Sequence, residues 1–306
     1  MPLPTPLVLN WHLTEACNYR CQYCYATWDA PTYKCELIRN PERTAALLQE
    51  LYSFFRPDNK ANPLAKLQEW SSVRLNLAGG EPLLHAEMLM PIINQARELG
   101  FDVSLISNGS LLNGGLLNQL TKKLTWLGIS IDSINTPTNV RIGRVDCRDH
   151  VLNLDELAAS LITARQSNPA LRIKLNSVVN RHNHSEDLSP AIRKFMPDKW
   201  KVLRMLPVVN QSLTVTDEQF AAFVTRHQSF ANIICAEDHH DMRESYIMID
   251  PTGRFFQNSL KIPGSGYAYS RPILEVGAGA AFADVDFAHQ RFCERYLPTH
   301  TGEERA

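Results

Sequence analysis

The chain lacks a long apolar run. No stretch approaches the ~20 consecutive apolar residues that a bilayer-crossing helix needs, so no membrane span is expected. It also lacks an excess of charge. Its 31 basic residues face 32 acidic ones, for a formal net charge of -1. A general nucleic-acid binder carries a basic surplus to meet phosphate backbones, so direct nucleic-acid binding is not expected. Residues 1–10 hold no positive charge, whereas a secretory signal opens with one. Seven cysteines, an odd number without such a signal, do not suit a disulfide framework. The expectation is a cytoplasmic chain whose reduced thiols are free to hold metal. Internal repeats, low-complexity tracts and long linkers are absent as well.

What is there is enough apolar material for a large core: 306 residues, 44% of them hydrophobic. Short stretches rich in β-branched or large apolar residues fall at 7–14, 73–78, 102–107, 126–131, 172–179 and 201–208. Helical stripes lie between them, carried by Ala45, Leu48, Leu51 and Tyr52, by Met88, Ile92 and Leu99, and by Leu154, Leu157, Leu161 and Ile162. Strand and helix in alternation imply parallel strands with right-handed crossovers. A closed or partial barrel fits this pattern, and so does an open doubly wound sheet. In each, chemistry gathers at the carboxyl ends of the strands.

The pattern changes after about residue 207. Residues 217–230 read as a helix. Residues 245–250 and 254–257 read as a hairpin around Pro251-Thr252-Gly253, 261–270 as a loop, and 273–282 as including a short helix. This divides the chain into a core over 1–215 and an extension over 216–306 that packs on the core and closes its open side.

Cys17, Cys21 and Cys24 form C-x3-C-x2-C directly after the first strand. Thiolates ligate iron–sulfur clusters; four saturate a cubane, and three leave one iron open. Two other readings fit the triplet alone: a zinc site with His12 as fourth ligand, or three unrelated core cysteines. Gly79-Gly80-Glu81-Pro82 follows the second strand and is either a ligand-approach turn or an ordinary strand-to-helix turn. Ser107, Asn108, Ser130, Asp132 and Ser177 stand near strand ends, where they contact a ligand or satisfy loop backbone. Lys174 and Asn176 share strand parity and so face one side.

Together these motifs resemble the radical S-adenosylmethionine (SAM) superfamily. Longer stretches resemble its viperin-like branch, whose members dehydrate nucleoside triphosphates: Ile106-Ser107-Asn108-Gly109-Ser110-Leu111, Asn139-Val140-Arg141-Ile142-Gly143-Arg144, Lys174-Leu175-Asn176-Ser177-Val178-Val179-Asn180 and Ile273-Leu274-Glu275-Val276-Gly277. The resemblance implies an α/β fold, a partial (β/α)6 TIM-type barrel with a C-terminal extension. It implies a [4Fe–4S] cluster on Cys17, Cys21 and Cys24. It also implies SAM contacts from Tyr23, Gly79, Gly80, Glu81, Ser107, Asn108, Ser130, Ser177 and Arg144. A triphosphate would meet Arg74, Asn76, Lys174, Asn176, Lys199 and Lys201. Tyr246 would touch the substrate or give it a hydrogen.

The implied reaction removes hydrogen from ribose C4′ and hydroxyl from C3′, with an external donor of flavodoxin or ferredoxin type and a role in antiviral or anti-phage defence. Arg74 stands where the branch usually has lysine, and Asn258 where it commonly has cysteine. Animal members carry an amphipathic helix ahead of the cysteines. The sixteen residues before Cys17 show none, so no membrane anchor is expected. Two rival readings remain: a radical SAM enzyme acting on a peptide, and a non-catalytic metal-binding or nucleotide-sensing module. Cys35, Cys147, Cys235 and Cys293 read as small buried residues.

Overall fold

The computed structural model describes residues 6–26, 35–207, 211–259 and 266–296. The six expected strands are present: β1 (Leu7–His12), β2 (Val73–Ala78), β3 (Asp102–Ser107), β4 (Trp126–Ser130), β5 (Arg172–Val179) and β6 (Lys199–Arg204). Helices separate them: α1 (Pro41–Phe55), α2 (Ala86–Leu99), α3 (Gly114–Thr121), α4 (Thr136–Ile142), α5 (Leu154–Ser167) and α6 (Ser189–Phe195). The rest comprises α7 (Asp217–Arg226), β7 (Ile234–Glu237), α8 (His239–Met242), β8 (Ile247–Ile249), β9 (Arg254–Asn258), β10 (Tyr267–Pro272), α9 (Ile273–Val276), α10 (Ala278–Ala283) and α11 (His289–Tyr296).

The chain forms two compact units. One comprises Met1–Ala16, Trp28–Ser104 and Asp241–Ala306; the other comprises Cys17–Thr27 and Leu105–His240. In the first, the strand order is β10-β9-β8-β1-β2. β1 pairs in parallel with both β2 and β8, so the C-terminal segment extends the sheet at the β1 edge. β8 and β9 form the expected antiparallel hairpin. On one face, Leu9, Trp11, Leu75, Leu77 and Phe255 are buried. Phe55, Phe255 and Phe282 meet there with ring centroids 5.4–6.1 Å apart. On the other face, Asn10 and Asn76 stand side by side. The Asn76 amide donates to Asn10 Oδ1 at 2.9 Å and accepts from the Ser104 hydroxyl at 2.8 Å.

In the second unit, β4, β5, β6 and β7 are parallel. Its apolar face holds Ile129, Leu175, Trp200 and Val202, all buried. Trp200 packs edge-on against His227 at 4.9 Å. His227 is fully buried; Nδ1 bonds Phe223 O at 2.8 Å, and Nε2 accepts from Leu188 N at 2.9 Å.

Several expectations are corrected. β1 ends at His12 rather than at residue 14, because Thr14 turns to serve as a side-chain acceptor for Ala16 N. β6 begins at Lys199 rather than at Lys201 and ends at Arg204; Val208 lies outside the described residues. The 217–230 helix ends at Arg226 and continues as a 3-10 turn. β7 was not expected. Part of the 261–270 loop is β10, paired antiparallel with β9; residues 261–265 lie outside the described residues. Of the four stray cysteines, only Cys235 is buried, while Cys35 and Cys147 are exposed and Cys293 is intermediate.

Candidate active site

The second unit holds the cysteine triplet on a short loop. Cys17 is exposed, whereas Cys21 and Cys24 are partly buried. The loop has little regular structure, so other parts of the unit fix it. The α4 C-terminus supplies carbonyls: Arg20 N donates to Gly143 O at 3.1 Å, and Gln22 N to Ile142 O at 2.9 Å. Gly143 is needed there. Its φ is +86°, and a Cβ would lie 2.3 Å from Arg20 O.

Side chains complete the hold. Asn108 at the end of β3 donates to Asn18 Oδ1 at 2.9 Å, Asn18 donates to Ser110 Oγ at 2.8 Å, and Ser110 N donates to Asn108 Oδ1 at 2.9 Å. Asn108 Nδ2 also lies 3.9 Å from Cys17 Sγ.

Tyr23 is tied to Asp132 by a hydrogen bond from its hydroxyl. Asp132 is 1% exposed and also accepts from Val178 N at 2.8 Å. Arg144 lies 3.5 Å from the same carboxylate, donates to Tyr23 Oη at 3.2 Å, and bonds Ser130 O. Burial pushes the Tyr23 hydroxyl well above its ordinary range, and the Asp132 charge adds to the effect. Burial opposes the charge on the Arg144 guanidinium, but Asp132, Tyr23 and Cys21 together hold it charged. Asp132 was expected only as a strand-end polar group, and Asn18 and Ser110 were not among the expected site residues. A polar residue in C-x-x-x-C or at a strand end was the available signal.

The donor set fits an iron–sulfur cluster. Among the described residues, His12 included, no group of three His, Cys, Asp or Glu side chains converges on a single ion. The thiols are nonetheless close enough for their charges to act on one another. A cubane takes each thiolate at a separate iron, and Arg144 places a cation beside Cys21 and Cys24. Burial lifts the Cys21 thiol to about 12 in the metal-free chain, so cluster loading must expel its proton.

Further along the same unit, Lys174 pairs in register with Lys199, and Asn176 with Lys201. Ser130 is Asn176's partner on the other side. All five therefore share one face. Gly128 leaves room for them: a Cβ there would lie 3.3 Å from Lys174 Cε and 3.4 Å from Asn176 Nδ2. Lys199 is 5% exposed. Lys201 pairs with the buried Glu237. Ser177 does not join this group. It points to the apolar face, where it accepts from Trp200 Nε1 at 3.0 Å and bonds Ile131 O. Its hydroxyl is engaged on that face, opposite in strand parity to Asn176. Ser107 is buried and accepts from Gly109 N at 2.9 Å, as a turn-forming serine does.

The first unit holds the Gly-Gly-Glu turn. Gly80 N donates to Thr14 O at 2.7 Å, and Glu81 N to Ala16 O at 2.8 Å. A Cβ on Gly79 would lie 2.6 Å from Thr14 O, and one on Gly80 2.2 Å from Ala16 O. The glycines thus admit the chain itself, not only a ligand. Glu81 is fully buried and accepts from Leu83 N at 3.0 Å. Arg74 and Asn76 share the polar face with Asn10 and His12. His12 packs edge-on against Phe256 at 5.2 Å, and burial lowers its pKa to about 3. Tyr246 lies just before β8, with its carbonyl accepting from Gln257 Nε2. Asn258 Oδ1 accepts from Glu244 N at 3.2 Å.

Comparison with known proteins accords with this geometry. Residues 11–167 match the model of the Radical SAM superfamily. The chain is 42% identical over 290 residues to the S-adenosylmethionine-dependent nucleotide dehydratase of Psychrobacter lutiphocae, covering 95% of this chain and 94% of that protein. It is 41% identical to the protein of the same name from Pseudoalteromonas ulvae, covering 96% and 94%. A Danio rerio protein of that name is 30% identical, covering 96% and 78%. Among solved structures, anSMEcpe with bound AdoMet matches at a TM-score of 0.65 and 12% identity, covering 94% and 84%. Streptococcus suis SuiB bound to precursor peptide SuiA matches at 0.61 and 15%, covering 98% and 69%. These likenesses show the fold, an α/β partial barrel. No helix among the described residues is long and apolar enough to cross a membrane. The chain belongs to the radical SAM superfamily and, within it, to the S-adenosylmethionine-dependent nucleotide dehydratases.

Proposed function

We propose that the protein converts a nucleoside triphosphate to its 3′-deoxy-3′,4′-didehydro analogue in antiviral or anti-phage defence. The observation that carries this reading is the in-register ladder Lys174/Lys199 and Asn176/Lys201 on one strand face. Three lysines sharing one strand face suit an anion of several charges, and a triphosphate supplies about four. Relatives named as nucleotide dehydratases support the same substrate class.

In this reading Cys17, Cys21 and Cys24 hold a [4Fe–4S] cluster. Bound together, the cluster and SAM would supply the radical chemistry that removes one hydrogen atom from ribose C4′. The substrate then loses hydroxide from C3′, which leaves as water with one proton, and takes up one electron from an external flavodoxin- or ferredoxin-type donor.

The chain's own residues bind, orient and exclude water. The backbone of Gly79 and Gly80 and the Glu81 carboxylate would receive the SAM ammonium. Arg144, already pinned by Asp132, would offer a guanidinium fork to the SAM carboxylate. Ser130 shares the lysine face, and Tyr23 and Asn108 hold the cysteine loop. Lys174, Lys199 and Lys201 would take the phosphates, Asn176 would order them, and Arg74 with Asn76 would line the polar face of the first unit. Tyr246, in the 216–306 extension, would contact the substrate. Exposed thiols at Cys35 and Cys147 suit a reducing, cytoplasmic setting.

The test is anaerobic incubation of cluster-loaded enzyme with SAM, reductant and each of the four nucleoside triphosphates. Formation of 5′-deoxyadenosine together with a nucleotide lighter by one water supports the reading. The absence of both with every triphosphate overturns it.

A further inference from the structure

Glu36 is a buried carboxylate with no role in the reaction as described. It is 4% exposed. Burying a carboxylate is costly unless its oxygens are used, so its partners are informative. Oε1 accepts from the Thr14 hydroxyl at 2.8 Å and from Glu15 N at 2.9 Å. The Thr14 hydroxyl oxygen then accepts from Ala16 N at 3.0 Å. Hydrogen bonds across Thr14, Glu15 and Ala16 therefore lead to one carboxylate. Glu36 is itself anchored from the next residue, since Leu37 N donates to Pro251 O at 2.8 Å. Arg39 Nε lies 3.6 Å from Oε2.

The same three residues carry the Gly-Gly-Glu turn. The carbonyls of Thr14 and Ala16 take the amides of Gly80 and Glu81. The fit is close, because neither Gly79 nor Gly80 has room for a Cβ. A shift of a few tenths of an ångström in residues 14–16 must move the turn. No intervening side chain can absorb it.

We propose that Glu36 is a positioning residue for SAM. It holds residues 14–16 in the shape on which Gly79-Gly80-Glu81 docks, and so sets where that turn presents its backbone and carboxylate to the ligand's ammonium. This rests on the reading of the turn given above. The hydrogen-bond geometry of Oε1 carries the role; the charge does not.

The test uses cluster-loaded enzyme with Glu36→Ala and Glu36→Gln. Three quantities are read: amide hydrogen exchange at residues 80 and 81, the dissociation constant for SAM, and KM for the nucleotide. Glu36→Ala is expected to speed exchange at both amides and to weaken SAM binding by roughly tenfold, the scale of one lost buried hydrogen bond. Iron and sulfide per chain and nucleotide KM should stay at wild-type values. Glu36→Gln should restore SAM affinity, because its Oε1 accepts the same two hydrogens.

A folded, loaded Glu36→Ala with unchanged SAM affinity overturns the proposal. So does a Glu36→Gln as impaired as the alanine variant. If Glu36→Ala does not fold, Thr14→Val carries the test: slowed or unchanged exchange with unchanged SAM affinity overturns the proposal, and faster exchange with weaker SAM binding supports it. If the wild-type enzyme binds no SAM, the reading of the turn falls, and exchange at residues 80 and 81 still decides whether Glu36 holds it.

Discussion

The two compact units hold the cysteine loop and the Gly-Gly-Glu turn by different means. In the second, two backbone bonds to the α4 C-terminus at Ile142 and Gly143 are joined by a side-chain network, Asn18 with Asn108 and Ser110 and Tyr23 with Asp132 and Arg144. In the first, the Gly-Gly-Glu turn is held by backbone on backbone, with two glycines admitting the contact and one carboxylate behind it. The difference concerns tolerance. A side-chain network can lose one member and keep part of its geometry, or accept an isosteric replacement. A backbone contact with no room for a Cβ accepts no side chain at all.

The largest expected effect comes from the cysteines. Replacing Cys17, Cys21 or Cys24 with Ala should abolish SAM cleavage and leave far-ultraviolet circular dichroism near wild type. Iron and sulfide analysis checks the loss. A loaded, active variant would break the assignment of the loop.

Next comes the glycine contact. Gly80→Ala forces a Cβ to 2.2 Å from Ala16 O. Overpacking against backbone costs about 1–3 kcal/mol, and here it displaces the turn itself. SAM affinity should fall further in Gly80→Ala than in Asn108→Ser, which removes one partner of the side-chain network. Equal losses, measured by equilibrium binding, would erase the contrast between the units.

Asp132→Ala removes the carboxylate from a buried pair whose side chains are 1% and 8% exposed. Stranding Arg144 should cost about 3–5 kcal/mol in a denaturant titration. Asp132→Asn keeps an acceptor and should cost clearly less. If both cost the same, charge rather than hydrogen bonding holds the network.

On the polar face of the second unit, Lys174→Met or Lys199→Met should raise nucleotide KM roughly tenfold each, with SAM affinity unchanged, as loss of a charged hydrogen bond implies. The KM-against-SAM split is the check.

The smallest effect is on pH. His12 in the first unit and His227 in the second are both buried, and burial lowers both pKa values, His12 to about 3. A histidine kept neutral by the fold is protonated first in the unfolded chain. Stability from these groups is therefore complete above the ordinary histidine pKa of about 6.5 and is lost as pH falls below it. Protonating His227 would also break its bond from Leu188 N. The melting temperature should drop between pH 7.5 and pH 5.5, and less steeply in His227→Gln.

The sequence made the cysteine loop and the parallel strands legible, because C-x3-C-x2-C and apolar strand patterns act over a few neighbouring residues. It did not reveal which face a residue takes. Ser177 sits one residue from Asn176 and reads as another strand-end polar group, yet strand parity turns it to Trp200. Lys199-Trp200-Lys201 resembles a solvated strand start, because an inward lysine and an outward one look alike until the register is known. β7 was missed because it is four residues long and ends on a buried glutamate. β10 was missed because its tyrosines and serine lie in a run that resembles loop composition. The Gly-Gly-Glu motif was legible as a turn, but its dependence on residues 14–16 and Glu36 was not. Those contacts join segments more than twenty residues apart, and no local pattern records them.

The central claim is that the cysteine loop and the lysine face serve one reaction on a nucleotide. Its most direct test is the ratio of 5′-deoxyadenosine to dehydrated nucleotide in the anaerobic assay with all four triphosphates. A ratio near one is expected for the preferred base, lost in any of the three cysteine variants. Steady 5′-deoxyadenosine formation with no nucleotide lighter by one water would contradict it.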